Sequence, residues 1–372
     1  MGDAAFATEA HGRALGEAGM TWSIDDLDTP AVIVDLDKME ANLRRAQAYA
    51  DAHGLRLRPH IKTHKIPELA KRQVELGAVG ITCQKLGEAE VMADHGLADI
   101  LLTFNLLGRA KMQRLVTLAR RVRLSATLDN VVVAGELDEA MRQAGLVLPM
   151  LIECDSGGER CGVQTPEEAV GLARVLGGLP GLRFEGLMTY PAKGRVAEAT
   201  AWLEQAKEAF GRAGIEPRII STGGTPDLYR AHEVACATEH RPGTYIYRDR
   251  SLVDEPAGFD DCALRVLATV VSRPTDGRAI LDAGSKTLSS DTLGLEGFGH
   301  VVEYPKLEIA KLSEEHGHVD CRQSNARPRI GERVTIVPNH ACVVSNLHDL
   351  VHGVRGQRVE RVFRIEARGR VQ

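Results

Sequence analysis

The sequence predicts an α/β protein with a TIM-like (β/α)8 barrel followed by an antiparallel β domain. Strand-type and helix-type stretches alternate between about residues 31 and 239, which is the rhythm of a parallel sheet. After about residue 250 the chain changes to short β-type runs separated by glycine and proline. The 372 residues exceed one average domain, so we expect a barrel at 38–250 and a β domain at 251–372 that residues 1–37 join.

The first predicted strand, residues 31–36, follows Thr29-Pro30 and leads into an amphipathic helix that ends near residue 53. Nine strand candidates compete for the eight places of a barrel, and we assign the first candidate to the β domain. The other candidates are residues 55–61, 80–84, 99–104, 123–129, 148–155, 183–190, 218–222 and 234–239. Predicted helices separate them, and the last helix covers residues 226–232.

The strands of the β domain are predicted from short runs of β-branched and aliphatic residues. These runs are residues 263–271, 279–281, 299–303, 307–312, 333–337, 350–354 and 359–365.

Composition excludes several classes of function. The net charge of −5 gives no general attraction to nucleic acid or to an anionic membrane surface. No apolar run reaches membrane-spanning length, and the N-terminus lacks a secretory pattern. The seven cysteines form no CxxC pair and no disulfide framework, so we expect a reduced cytoplasmic compartment.

A lysine lies where barrel sites are built. In the motif of residues 58–65, Lys62 follows a predicted strand and precedes a helix that begins near Pro67. A lysine at a strand end can act as a Schiff-base nucleophile when its surroundings lower its pKa, and we expect Arg58 and Lys65 to contribute to that. The alternative is a group of surface lysines on a basic loop.

Other strand ends should face the same barrel mouth. Besides Lys62 they are Gln84, Asn105, Asp129, Asp155 with Arg160, Tyr190, and the turn of residues 221–226. The two glycines of that turn allow close backbone approach, and Thr225 can cap a helix that begins at Pro226, which makes an anion cradle. A second turn at residues 241–247 can complete it. Two ordinary tight turns are the alternative, but a lysine beside a phosphate cradle suggests pyridoxal 5′-phosphate.

A possible metal pair lies in the β domain. His340 and Cys342 are two residues apart in a run that reads as extended, so both side chains should lie on one face. Together they can supply two ligands to a borderline-soft divalent ion such as zinc, with positions left open for water or substrate. A buried cysteine beside a hydrogen-bonded histidine is the alternative.

Together these motifs resemble the D-threonine aldolase and D-serine dehydratase family. Its members are fold-type III pyridoxal-phosphate enzymes with an alanine-racemase-like barrel and a C-terminal β domain. The resemblance runs from about Asp28 to the C-terminus. The motifs that carry it are Thr29-Pro30 and residues 58–65, 157–162, 221–226, 241–247, 313–317 and 338–342.

The resemblance implies a set of site residues. Lys62 would bond the cofactor and would act in catalysis with His60, and Arg160 would neighbour the cofactor's ring oxygen. His340 and Cys342 would ligate the metal, which is manganese or zinc, with magnesium as a further option. The implied cofactor-binding set is Lys62, Gln84, Arg160, Tyr190, Thr222, Gly223, Gly224, Thr225, Gly243, Tyr245 and Tyr247. The resemblance also implies a homodimer, with each barrel mouth near the partner's β domain.

The implied activity is metal-dependent cleavage of D-β-hydroxy-α-amino acids to glycine and an aldehyde. The motifs at residues 64–65, 241–247 and 344–349 look most like those of aldolases. Dehydration of D-serine or D-threo-3-hydroxyaspartate is the alternative. A racemase is a weaker alternative because its second base is typically a tyrosine of the β domain, and residues 250–372 contain only Tyr304. A non-catalytic pyridoxal-phosphate-binding barrel and a cofactor-free barrel with structural zinc also stay open.

Overall fold

The computed structural model describes residues 22–253, 258–325 and 327–372. It divides into two compact units. One unit contains the described residues up to Asn42 together with Ile246–Arg368, and the other contains Leu43–Tyr245 with Gly369–Gln372. The part of the predicted N-terminal segment before residue 22 lies outside the described residues.

The second unit is built on a parallel sheet of eight strands, which confirms the predicted barrel class. The strands lie in the order β2-β9-β8-β7-β6-β5-β4-β3, and a parallel bridge between His60 and Thr82 joins the two ends of the sheet. Their bounds are β2 Arg56–Leu57, β3 Ile81–Cys83, β4 Asp99–Leu102, β5 Arg123–Leu128, β6 Leu148–Cys154, β7 Leu182–Thr189, β8 Ile219–Gly223 and β9 Glu239–Arg241.

The helices alternate with these strands. They are α1 Leu36–Ala52, which begins in the other unit, α2 Pro67–Glu75, α3 Leu86–Asp94, α4 Arg109–Ala119, α5 Val131–Gln143, α6 Pro166–Gly177 and α7 Val196–Arg212. Local sequence explains several of their starts. Asn130 caps α5 through its side chain, and Thr165 forms a capping box with Glu168 before α6.

The end of the barrel differs from the prediction. The expected helix at residues 226–232 is a short 3₁₀ helix, Leu228–Glu233, and the last strand is Glu239–Arg241 rather than residues 234–239. Tertiary contacts explain the later strand. Glu239 pairs in register with Ser221 on β8, and its buried carboxylate is held by Arg58. These partners are distant in sequence, so local propensity does not reveal them.

The first unit is built on a nine-stranded, mainly antiparallel sheet. Its order is β11-β14-β13-β12-β15-β10-β1-β16-β17. The bounds are β1 Ala31–Asp35, β10 Leu264–Thr275, β11 Arg278–Leu281, β12 His300–Val301, β13 Glu308–Leu312, β14 Gly317–Asp320, β15 Arg333–Val337, β16 Leu350–Arg355 and β17 Arg358–Arg364, with short helices α8 Ser285–Leu288 and α9 Ala341–Leu347.

The first strand lies inside this sheet. β1 pairs antiparallel with β10 and parallel with β16, so the ninth strand candidate belongs outside the barrel, as the count predicts. Ile33 of β1 packs in a core cluster with Leu267 and Val354. No helix in the described ranges is long and apolar enough to cross a bilayer.

Candidate active site

Lys62 lies on a single 3₁₀ turn, Ile61–Thr63, that directly follows the bridge closing the barrel. The flanking side chains of Ile61 and Thr63 are fully buried, while Lys62 is half-buried. The turn is therefore anchored in the core on both sides of the lysine. This is the carboxyl-terminal end of the parallel strands, where barrel sites are built.

The cations expected to act on Lys62 are neutralised by carboxylates. Arg58 Nε lies 2.8 Å from Glu239 Oε2, and Arg58 also pairs with Asp99. Lys65 Nζ lies 3.2 Å from Glu88 Oε1. Each of these positive charges therefore has an adjacent negative partner, and their effect on the pKa of Lys62 stays a prediction.

Several other cations act on His60. Burial lowers the pKa of His60 well below its usual value, and the positive charges of Lys62, Arg241 and Arg160 lower it further. Arg241 is buried and donates to the Thr189 carbonyl at 2.6 Å. Burial lowers the pKa of Arg241 to about 10, so it stays protonated at neutral pH. Sequence reasoning did not single out Arg241, although it opens the second glycine turn.

The hydrogen bonds of His60 determine its tautomer. Gln84 Nε2 donates to the Thr103 carbonyl at 2.7 Å, which leaves Gln84 Oε1 to accept from His60 Nε2 at 3.1 Å. The backbone N–H of Lys62 donates to His60 Nδ1 at 3.4 Å. His60 is therefore a neutral imidazole with both nitrogens engaged, and it holds the start of the lysine turn.

Arg160 lies at the mouth on the loop after β6. Its Nη2 donates to Glu153 Oε1 at 3.4 Å, and its guanidinium lies 4.8 Å from the centre of the Tyr190 ring. Burial raises the pKa of Glu153, while Arg160 opposes this shift. Asp155 Oδ1 shapes the loop by accepting three successive backbone N–H groups, from residues 157–159.

Two further strand-end residues meet beside this loop. Asn105 Nδ2 donates to Asp129 Oδ1 at 2.8 Å, and Gly162 N donates to Asp129 Oδ2 at 2.9 Å. Asp129 thus ties the end of β5 to the loop that carries Arg160. The predicted convergence of these strand ends is present in the barrel.

The two glycine turns are joined by Thr225. Its Oγ1 accepts from Gly243 N at 3.1 Å and from Tyr245 N at 3.2 Å. The prediction that Thr225 caps a helix beginning at Pro226 is wrong, because the hydroxyl is used across the turns and the next helical residue is Leu228. Gly224 has φ +120°, a conformation that favours glycine.

The neighbouring glycines allow close packing. A Cβ on Gly243 would lie 3.0 Å from Thr63 Oγ1, and a Cβ on Gly223 would lie 3.1 Å from Arg241 Nη2. The second turn therefore sits directly against the lysine turn. Two of the residues predicted to bind the cofactor make other contacts through their hydroxyls. Thr222 is bonded to His240 at 3.0 Å, and Tyr245 accepts from Gln73 Nε2 at 3.0 Å.

Tyr247 belongs to the other unit. It is fully buried, burial raises the pKa of its hydroxyl, and its carbonyl accepts from Ala263 N at 2.7 Å.

The metal pair is also in that unit, at the start of α9. His340 precedes the helix and Cys342 lies in its first turn, so the prediction of a fully extended run is wrong. The two side chains nevertheless meet, and Cys342 forms a hydrogen bond with the His340 ring. Burial lowers the pKa of His340, but the contacts with Cys342 and Asp291 outweigh it and raise that pKa to about 9.

Asp291 contacts this candidate metal pair, and sequence reasoning missed it. Its Oδ2 lies 2.7 Å from His340 Nδ1, although the two residues are 49 positions apart. No motif or spacing signals this contact. Within residues 22–253, 258–325 and 327–372, no group of three or more His, Cys, Asp or Glu residues is arranged to hold a metal ion.

Two family models match the chain. The alanine racemase N-terminal domain matches residues 34–251, and the putative serine dehydratase domain matches residues 263–354. The two matches together cover most of both units.

Similar curated proteins include both aldolases and a dehydratase. The chain is 37% identical to a D-threonine aldolase of Arthrobacter sp., covering 92% of this chain and 93% of that protein. It is 32% identical to a 3-hydroxy-D-aspartate aldolase of Paracoccus denitrificans, covering 93% of each chain. It is 34% identical to a D-threo-3-hydroxyaspartate dehydratase of Delftia sp., covering 85% of this chain and 91% of that protein.

Similar solved structures also include both an aldolase and a dehydratase. A D-threonine aldolase from Filomicrobium marinum matches with a TM-score of 0.89 at 36% identity, covering 95% of this chain and 99% of that one. A D-threo-3-hydroxyaspartate dehydratase with a cysteine replaced by alanine, in a metal-free form, matches with a TM-score of 0.83 at 29% identity, covering 92% and 98%.

Proposed function

Since the chain belongs to the D-threonine aldolase and D-serine dehydratase family of alanine-racemase-like pyridoxal-phosphate enzymes, we propose that it is a D-threonine aldolase. It would cleave D-β-hydroxy-α-amino acids to glycine and an aldehyde. The observation that carries this proposal is the position of Lys62 at the strand ends, where Lys62, Arg160 and Arg241 all act on His60 and the second glycine turn packs on Thr63. The full-length likeness to a D-threonine aldolase supports the reaction class.

The barrel residues fit pyridoxal phosphate. Gly224 adopts a backbone conformation that favours glycine, and a Cβ at Gly243 would lie 3.0 Å from Thr63 Oγ1, so the second glycine turn lies directly beside the lysine turn. The buried hydroxyl of Thr127 has no hydrogen-bond partner in the described part of the chain. Arg241 and Arg160 supply positive charge for a phosphorylated aromatic aldehyde. A lysine, cations and a tight cradle are the groups that this cofactor needs.

When bound, pyridoxal phosphate would supply an electron sink for negative charge at the substrate's Cα. The chain's own residues would hold and orient the reacting groups. Lys62 would be the covalent attachment point and would exchange with the substrate amine. Neutral His60 would keep the lysine turn in place, and Arg160, braced by Glu153 and Tyr190, would offer its remaining donors to the cofactor's ring oxygen.

The donor set of the other unit fits a divalent ion. A neutral imidazole and a thiolate are ligands that zinc prefers, so we favour zinc over manganese or magnesium for His340 and Cys342. With two protein ligands, coordination positions are left for water and for the β-hydroxyl of a substrate. The ion would act as a Lewis acid on that hydroxyl.

Dehydration is the second candidate. The 34% identity to a D-threo-3-hydroxyaspartate dehydratase supports this candidate. The same residue types can serve either reaction, so the residues alone do not separate the two. The two outcomes differ in the bond that breaks: Cα–Cβ for the aldolase, or Cβ–O after removal of the Cα proton for the dehydratase. Their products differ completely, so a product assay separates them.

The test is a product assay on purified protein loaded with pyridoxal phosphate and zinc or manganese. D-Threonine should give glycine and acetaldehyde, and EDTA should abolish the release. Lys62→Ala should lose both the visible band of the lysine-bound cofactor and the activity. Lys71→Ala, on the exposed face of α2, is the control and should keep both.

Two outcomes would contradict the aldolase. Ammonia and a 2-oxo acid from D-serine or D-threo-3-hydroxyaspartate would replace it with the dehydratase. A wild-type protein without a cofactor band would remove the role of Lys62. The homodimer and the cytoplasmic compartment stay predictions, and light scattering of the purified protein tests the first.

A further inference from the structure

We propose that His64, Gln73 and Tyr245 form a positioning network that sets the place of Lys62 relative to the two glycine turns. The network is a continuous series of hydrogen bonds inside the barrel. It joins the lysine turn to α2, then to the second glycine turn, and through Thr225 to the first. It matters only if a cofactor binds at Lys62, so this inference rests on the proposed function.

The direction of the first hydrogen bonds follows from a backbone donor. The N–H of Ile66 donates to His64 Nδ1 at 3.0 Å, so this nitrogen carries no proton. A neutral His64 then carries its proton on Nε2, which donates to Gln73 Oε1 at 3.3 Å. His64 therefore accepts from its own turn and donates to α2.

Gln73 passes the connection to the second glycine turn. With its oxygen accepting from His64, its amide nitrogen donates to the Tyr245 hydroxyl at 3.0 Å. The backbone N–H of Tyr245 donates in turn to Thr225 Oγ1 at 3.2 Å, and Gly243 N donates to the same oxygen at 3.1 Å. Both glycine turns are thus connected to the segment that carries Lys62.

The members are sealed from solvent. His64, Gln73 and Tyr245 are 0%, 2% and 3% exposed. Burial lowers the pKa of His64 to about 4, so the neutral tautomer persists through the physiological range. A break in the series would leave a buried polar group unsatisfied and would allow the turn to shift.

The segment from Lys62 to Lys65 needs this support because one of its residues has an unfavourable backbone conformation. Lys65 has φ +57°, in the left-handed region that is costly for a residue with a side chain. Its ion pair with Glu88 holds the segment on one side, and His64 holds it on the other. Lys62 lies two residues before His64, so a small rotation of the segment would displace its amine.

The experiment uses the protein loaded with pyridoxal phosphate. Tyr245→Phe removes the hydroxyl that receives the Gln73 hydrogen bond. We expect it to weaken cofactor retention roughly three- to tenfold and to shift the pH midpoint of the visible band of the lysine-bound cofactor. Tyr229→Phe is the matched control, because the hydroxyl of this exposed tyrosine of the same unit accepts from Arg45 Nε at 3.0 Å and its ring packs on Tyr49.

His64→Asn separates the network from the local turn. The asparagine oxygen can still accept from Ile66 N–H, but its amide is too short to reach Gln73. A positioning role predicts that His64→Asn shifts cofactor retention and the band midpoint as Tyr245→Phe does. A role confined to the turn predicts wild-type values.

The inference is overturned if Tyr245→Phe and His64→Asn change only the melting temperature and match Tyr229→Phe in cofactor retention and band midpoint. A wild-type protein that shows no cofactor band is a different result, because it contradicts the proposed function itself.

Discussion

Nδ1 of His340 lies 2.7 Å from Oδ2 of Asp291, so one of the two imidazole nitrogens is already hydrogen-bonded to a carboxylate. This contact leaves Nε2 as the nitrogen that can bind a metal ion. A carboxylate on the far nitrogen also orients the ring and increases its basicity. Asp291 therefore has the geometry of a residue that supports a metal ligand without binding the ion itself.

Replacing Asp291 by alanine should weaken zinc binding about ten- to a hundredfold, because the His340 ring loses its orienting partner. Competition with a chromophoric chelator measures this independently of activity. Asp291→Asn keeps an acceptor oxygen and should lie between wild type and alanine. Asp320→Ala, which removes a carboxylate paired with Arg322 in the same unit, is the control. Equal affinities for Asp291→Ala and Asp320→Ala would contradict the role.

The buried carboxylate of Glu239 should be important for stability. It accepts from Arg58 Nε at 2.8 Å and from Ser221 Oγ at 2.7 Å, and its side chain is 1% exposed. Glu239→Gln should lower the free energy of unfolding by about 3 kcal/mol, because it leaves Arg58 buried with less compensating charge. Urea denaturation measures the loss.

The control for this change is Glu233→Gln, which removes the same charge from an exposed pair with Arg230. We expect little change there, because exposed ion pairs are screened by solvent. A Glu239→Gln protein as stable as Glu233→Gln would show that the buried pair contributes nothing beyond a surface pair.

Gly186 on β7 should not tolerate a side chain. A Cβ there would overlap the Ile219 carbonyl oxygen on the neighbouring strand, at a register shift between β6 and β7. Gly186→Ala should destabilise the barrel by about 3 kcal/mol or more.

Gly135→Ala serves as the opposite case, because a Cβ in the middle of α5 meets nothing within 4 Å. It should stabilise the protein by roughly 0.5–1 kcal/mol. Thermal melts of both variants check the pair. A mild effect of Gly186→Ala would mean that the strands can separate at this point.

Stability should fall in mild acid because buried histidines, among them His64 and His240, stay neutral. Burial lowers the pKa of His64 and of His240 to about 4, from 6.5 in the unfolded chain. Below about pH 6.5 the unfolded state binds protons that the folded state does not, so the free energy of unfolding decreases until about pH 4. Each histidine contributes up to about 3 kcal/mol to this loss, and above pH 6.5 its full contribution is retained.

Chemical denaturation at pH 7.5, 6 and 5 tests this pH dependence. His240→Asn should flatten the decrease, whereas His53→Asn, at an exposed position, should follow the wild-type curve. An unchanged slope in His240→Asn would show that His240 is not a source of the acid sensitivity.

Some features follow from local pattern. The alternation of strands and helices predicted the barrel, and the surplus strand predicted that β1 lies elsewhere. Lys62 at a strand end and the His340–Cys342 pair also came from short motifs. Local pattern did not predict hydrogen bonds or ion pairs between residues that are distant in sequence. An example is the Thr225 hydroxyl, which accepts from Gly243 and Tyr245.

By itself, the sequence determined the succession of strands and helices along the chain and the residue types at the strand ends, because hydrophobic periodicity and turn residues act over a few positions. Only the tertiary structure decided which groups meet. Arg58 finds Glu239 across 181 positions, and His340 finds Asp291 across 49. Electrostatic and hydrogen-bond energies depend on distance in space, and distance in space is set by sheet register and loop paths rather than by spacing in the chain.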